Sequence, residues 1–103
     1  MMYKFTMTAS KDTFGKKLNN WYHFHAIGDK KDIIIAGVKD IPGNRDFLIW
    51  LEAAARLEAE RKPHLTANQV AELIKLFQEY EEKDENAPCY PYIEKFSEIM
   101  VSN

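Results

Sequence analysis

The sequence predicts an α+β fold: a three-stranded antiparallel sheet in the N-terminal half, followed by three helices packed on one face. Two patterns support this prediction. Apolar residues alternate with polar ones in residues 1–40, as in strands, and afterwards recur every three or four positions, as in amphipathic helices. The charge changes sign near the same place, because residues 1–45 carry a net charge of +4 and residues 46–103 carry −6. A chain of 103 residues fits one domain, 1–103.

Three strands are predicted, over residues 2–8, 21–27 and 33–38. The first alternates apolar and polar residues, and the next two are rich in aromatic and β-branched residues. The five residues that separate the second strand from the third are Gly, Asp and Lys, which is typical of a hairpin loop. The three isoleucines at 33–35 predict a strand that is central or covered on both faces. Residues 10–20 predict a loop with at most a short helical turn.

Three helices are predicted, near residues 45–61, 67–82 and 91–101. Asn44 is placed to cap the first helix. The apolar residues of that helix fall at helical spacing and are Phe47, Trp50, Leu51, Ala54 and Leu57. Thr66 and Gln69 have the spacing of a capping box at the start of the second helix. Two prolines, at 88 and 91, predict an extended connection to the third.

Composition excludes several classes of protein. A single cysteine, Cys89, cannot form an internal disulfide, which is typical of an intracellular chain. The first residues alternate in polarity, unlike a signal peptide, and the longest apolar run, residues 33–38, is far shorter than the roughly 20 residues that span a bilayer. We therefore expect a cytoplasmic protein with no membrane partner. The net charge of −2 also argues against a dedicated duplex-DNA binder.

His23 and His25 form the arrangement that best fits a metal site. Residues two apart on a strand point to the same face, so both imidazoles could reach one ion. A third ligand would have to be one of four residues, and no spacing selects among them: His64, Asp29, Asp32 and Cys89. A metal-dependent enzyme at this pair is the third of three functional hypotheses.

Other catalytic patterns are absent from the sequence. The four glycines are isolated, unlike those of a phosphate-binding loop, and no serine lies in a nucleophile elbow. Four helical carboxylates are predicted on exposed faces and not in an acid/base pair: Glu52, Glu58, Glu72 and Glu79. We assign no catalytic residue and no cofactor, and we expect a binding protein rather than an enzyme.

The first hypothesis is a non-catalytic protein-binding module, such as a small inhibitor, adaptor or subunit, of the type found among phage and mobile-element inhibitors. An acidic run ends the second helix and would contact a basic partner surface, with two tyrosines as aromatic anchors. The predicted partner-binding residues are Glu79, Tyr80, Glu81, Glu82, Asp84, Glu85 and Tyr90. An alternative in this class is a homodimer formed through a sheet edge or the surface around Trp50.

The second hypothesis is a single-stranded nucleic-acid-binding domain. Aromatic residues on a sheet with basic neighbours form the stacking platforms of such proteins. The residues that would form this platform are Trp21, His23, His25, Lys30 and Lys31. Aromatic residues also occupy the opposite face of the same strand, so the pattern leaves open which face the helices cover.

Overall fold

The computed structural model describes residues 1–10 and 20–102, so most of the predicted loop at residues 10–20 lies outside the described residues. The elements are β1 (Lys4–Ser10), β2 (Trp21–Ile27), β3 (Asp32–Lys39), a short 3-10 turn (Pro42–Asn44), α1 (Arg45–Ala59), α2 (Ala67–Glu82) and α3 (Tyr90–Val101). A three-stranded antiparallel sheet is thus followed by three helices, which confirms the predicted α+β class.

The strands lie in the order β1-β2-β3, so β3 is an edge strand and the prediction that residues 33–35 are central is wrong. A β-bulge explains the three isoleucines. His25 pairs with Ile34 and Phe24 pairs with Ala36, which leaves Ile35 as an extra residue on β3. Ile35 is therefore turned into the core at 6% exposure, while Ile34 on the other face is 69% exposed.

The helices cover the sheet face that carries Phe5 and Phe24, and an aromatic cluster fills the space between them. The centroid of the Phe5 ring lies 5.4 Å from that of Phe24 and 5.2 Å from that of Phe96 on α3. Phe77 of α2 lies 6.5 Å from Phe5 and 5.6 Å from Phe47 of α1. Two strands and all three helices therefore contribute a ring to one core.

The starts of α1 and α2 are stabilised differently. At α2 the predicted capping box is confirmed: Gln69 N donates to Thr66 Oγ1 at 3.2 Å, and Thr66 N donates to Gln69 Oε1 at 2.8 Å. At α1 the predicted side-chain cap is wrong, because the amide of Asn44 is used elsewhere. Its Nδ2 donates to Lys39 O at 2.9 Å, and its Oδ1 accepts from Tyr80 Oη at 2.8 Å. Asn44 thus ties the end of β3 to α2.

Replacing Phe5 with alanine tests the assignment of the covered face. We expect Phe5→Ala to lower the free energy of unfolding by about 3–5 kcal/mol, because the ring is fully buried among three others. Ile34→Ala is the matched control on the open face and should change it by no more than about 0.5 kcal/mol. Denaturant unfolding measures both values, and similar losses for the two variants would contradict the assignment.

Candidate functional site

The beginning of the outer edge of β1, at Tyr3 and Phe5, is paired with α1 and with the chain that follows it. Tyr3 N donates to Leu65 O at 2.8 Å, and Leu65 N donates to Tyr3 O at 3.0 Å. Farther along β1, Phe5 N donates to Oε1 of Glu58 at 3.2 Å. The other oxygen of that carboxylate lies 2.5 Å from His64 Nε2. The backbone donors of Tyr3 and Phe5 at this edge therefore have partners within the protein.

Glu58 was predicted on an exposed helical face, and this prediction is wrong, since the residue is 2% exposed. Glu58 follows Leu51 by seven positions and Ala54 by four, so it continues the buried stripe of α1 toward the edge of β1. Leu57 and Trp50, which were predicted in the apolar stripe, are instead 71% and 54% exposed. The helical periodicity of α1 indicates that Glu58 is buried, but the charge of its side chain favoured the prediction of an exposed position.

The outer edge of β3, in contrast, is open near its middle. Asp40 N donates to Asn20 O at 2.8 Å, so the backbone groups of Asp40 point toward the strand pair β3–β2 and not outward. Since donors to one neighbouring strand recur at every second residue, the backbone groups of Gly37 and Lys39 point away from β2. Lys39 O accepts from Asn44 Nδ2 and from Ile41 N. The outward N–H and C=O of Gly37, an exposed residue, have no partner within residues 1–10 and 20–102.

A cleft of about 500 Å³ lies between this open edge and the C-terminal half of α2. One wall is formed by residues 36–39 of β3, and residues 41–44 lie at its end. The opposite wall is contributed by α2 and the chain just after it, and includes Phe77, Tyr80, Glu81, Lys83 and Glu85. Trp21 also lines the cleft, from the open face of the sheet.

Two side chains of β2, Trp21 and His23, lie over Gly37 of β3. A Cβ atom at this position would stand 3.4 Å from Trp21 Cε3 and 3.4 Å from His23 Nδ1. The indole is 42% exposed, so one surface of the ring is available to a ligand. Trp21 therefore connects the open face of the sheet with the cleft.

Most of the acidic side chains at the end of α2 are exposed and could pair with the basic groups of a partner. Glu81, Glu82, Asp84 and Glu85 are exposed, and none of them forms an ion pair with another described residue. Glu79 differs, because its Oε2 lies 3.5 Å from Lys95 Nζ. Glu81 and Glu85 line the cleft, as do two basic residues, Lys39 and Lys83.

The two predicted aromatic anchors have different environments. Tyr90 is 66% exposed at the start of α3. Tyr80 is 6% exposed, its ring stacks on Phe47 with 4.0 Å between centroids, and burial raises the pKa of its hydroxyl to about 12. Tyr80 therefore supports the wall of the cleft, whereas Tyr90 has the exposure that an aromatic anchor needs.

The structure brings together only some of the predicted nucleic-acid residues. Trp21, His23 and His25 share the sheet face opposite α1, α2 and α3, whereas Lys30 and Lys31 are exposed in the hairpin loop at the end of β2 that is remote from Trp21. His25 Nδ1 is held 2.8 Å from Asp32 Oδ1. Among the described residues, no group of three or more His, Cys, Asp or Glu side chains is placed to hold a metal ion.

Comparisons with protein-family models, with curated proteins and with solved structures found no match to this chain. Within the described ranges, no helix has the length and hydropathy needed to cross a membrane. The features that bear on function are therefore the cleft, the open strand edge and the charges beside them.

Replacing Glu58 tests whether its buried carboxylate stabilises the protein by bonding to Phe5 N and His64 Nε2 beside β1. We expect Glu58→Ala to lower the free energy of unfolding by about 3 kcal/mol, because the variant leaves a buried N–H and an imidazole without their acceptor. The control is Glu60→Ala at an exposed position, for which we expect a change within about 0.5 kcal/mol. Thermal or denaturant unfolding compares them, and equal stability of the two variants would refute this role.

Proposed function

We propose that this protein is a non-catalytic protein-binding domain, acting as a small inhibitor, adaptor or subunit. The observation that carries the proposal is the cleft between β3 and α2, where exposed carboxylates, an exposed indole and an open strand edge meet. Its partner is a protein that presents a basic surface to the acidic end of α2.

The charges at the cleft favour a basic partner. Glu81 and Glu85 have no ion-pair partner within the described part of the chain. Lys83, the basic residue between them, is engaged internally, since its Nζ lies 3.1 Å from Ala87 O and 5.2 Å from the centroid of the Tyr80 ring. A Lys or Arg side chain of a partner would therefore meet carboxylates that the protein itself does not neutralise.

The exposed indole supports the same interpretation. A few aromatic residues supply much of the binding energy of many interfaces. Trp21 lines the cleft together with Glu81, so a cationic side chain could contact a ring face and a carboxylate in one place. Exposed Tyr90, at the start of α3, offers a second aromatic contact.

Charge reversal at the end of α2 tests this proposal. A tagged copy is expressed in the native host, half of the lysate is treated with nuclease, and the proteins captured from each half are compared. We expect a discrete protein that survives nuclease, and we expect the triple variant Glu81→Lys, Glu82→Lys, Glu85→Lys to capture about tenfold less of it, since opposed charges become like charges.

The matched control reverses three other exposed carboxylates, Glu72→Lys, Glu94→Lys and Glu98→Lys, which changes the net charge equally on α2 and α3 away from the cleft. This variant should capture as much partner as the unmodified protein does. Equal capture by the two triple variants would show that the end of α2 is not the contact surface.

A single-stranded nucleic-acid-binding domain is the second candidate, and one observation favours it. Trp21 is exposed on the same sheet face as His23 and His25, and two exposed lysines lie in the loop at the other end of β2. Such an arrangement offers a ring for base stacking and positive charge for phosphates.

Binding of a fluorescent oligothymidine tests this second candidate. Trp21→Ala should weaken binding by about tenfold, because a stacked base contributes about 1–3 kcal/mol, and the affinity should fall steeply as salt is added. Trp50→Ala is the control, since this exposed indole lies on α1. Affinity that is independent of salt, or the same loss in both variants, would reject the candidate.

A further inference from the structure

We infer that the partner is bound by strand addition: a short extended segment carrying Lys or Arg pairs with the outer edge of β3 and occupies the cleft beside α2. This inference rests on the proposed function and specifies its mode of recognition. Three features of the described residues support it: the free backbone groups at the edge of β3, the geometry of the cleft, and the placement of its charges.

The edge of β3 has free backbone groups beside the cleft. The edge of β1 is paired with Leu65 and with the carboxylate of Glu58 at its beginning, at Tyr3 and Phe5. At the edge of β3, the N–H and C=O of Gly37 point outward without a partner among residues 1–10 and 20–102. An open edge is a template for pairing with another chain, and extended peptides bind many domains in this way.

The cleft has the form that an added strand requires. A paired strand would lie about 4.8 Å from β3, and its side chains would point alternately to the two faces of the sheet. One row would face α2, where Glu81 and Glu85 offer negative charge. The other row would face the open side, where Trp21 is exposed.

The turn after β3 limits the length of the pairing. Lys39 O is already bonded to Ile41 N and to Asn44 Nδ2, so the outward ladder ends at Lys39. On the other side the bulge at Ile35 interrupts the regular register. The added strand is therefore short and centred on Gly37, and side-chain contacts must supply much of its affinity.

Charge identifies the occupant as a basic segment rather than a second copy of this chain. Pairing of two copies through β3 would bring a second set of the carboxylates Glu81 and Glu85 to the cleft, and like charges at an interface disfavour association. A segment with Lys or Arg on the row that faces α2 would instead pair with them.

Synthetic peptides test strand addition without knowledge of the natural partner. The probe is a library of short peptides in which Lys or Arg alternates with Val, Ile or Thr, and the control library has Glu in place of the basic residues. We expect only the basic library to shift the amide NMR signals of Gly37 and Lys39. Methylating alternate backbone nitrogens should weaken binding by about tenfold in one parity and leave the other unchanged, because only one set of N–H groups faces β3.

Two variants of the protein provide the complementary test with the partner captured from the native host. Gly37→Pro removes the outward N–H at an edge position where proline is tolerated, and it should reduce capture by about tenfold. Gly37→Ala keeps the N–H and places its Cβ at ordinary contact distance, so it should retain capture within about threefold. Circular dichroism and thermal unfolding show that both variants are folded before they are compared.

Three results would overturn the inference. The first is equal weakening by the two parities of methylation, and the second is a basic library that leaves the Gly37 signal unchanged at millimolar concentration. The third is a dimer of this chain that Gly37→Pro abolishes. The charge-reversal variant then separates the two hypotheses. If capture still depends on Glu81, Glu82 and Glu85, strand addition is rejected and the proposed function is retained. If capture does not depend on those three residues, the proposed function is rejected as well.

Discussion

The packing of aromatic rings around Phe5 is the constraint on which the rest of the structure depends. A three-stranded sheet needs a cover on one face, and Phe5 contacts rings from β2, α2 and α3, so these contacts decide which face is covered. Once Phe24 faces the helices, the alternation of β2 places Trp21 and His23 on the opposite face. The exposure of the indole is thus a consequence of core packing and not an independent property of the strand.

A short sheet with one covered face still has two edges, and each edge is paired over only part of its length. At β1 the carboxylate of Glu58 is buried where it accepts from Phe5 N, which is tolerated because the backbone of Phe5 and the ring of His64 lie within hydrogen-bonding distance. At β3 the side chain of Asn44 satisfies Lys39 O and holds Tyr80, which fixes α2 beside the strand. The bonds of Asn44 reach Lys39 but not Gly37, whose outward backbone groups stay free. The packing that orders the end of β3 therefore also places α2 across the cleft from a free strand edge.

Local signals predicted the elements well, because strand alternation, helical periodicity and the Thr66 capping box depend on neighbouring residues. The sequence could not reveal the bulge at Ile35, since its position depends on how β3 pairs with β2. Glu58 was misplaced because a carboxylate usually favours solvent, and only tertiary partners reverse that preference. The acidic end of α2 was recognisable from composition, but the cleft was not, because it arises where α2 meets the edge of β3.

The two surfaces that the sequence suggested separately, an acidic helix end and an aromatic sheet face, meet at Trp21. This proximity bears on the choice between the candidate functions. A nucleic acid stacked on the indole would bring phosphates toward Glu81 and Glu85, and like charges disfavour that approach. A basic polypeptide would be attracted by the same carboxylates and could use the ring as well. The carboxylates near Trp21 therefore favour a basic protein over a nucleic acid as the ligand of this indole.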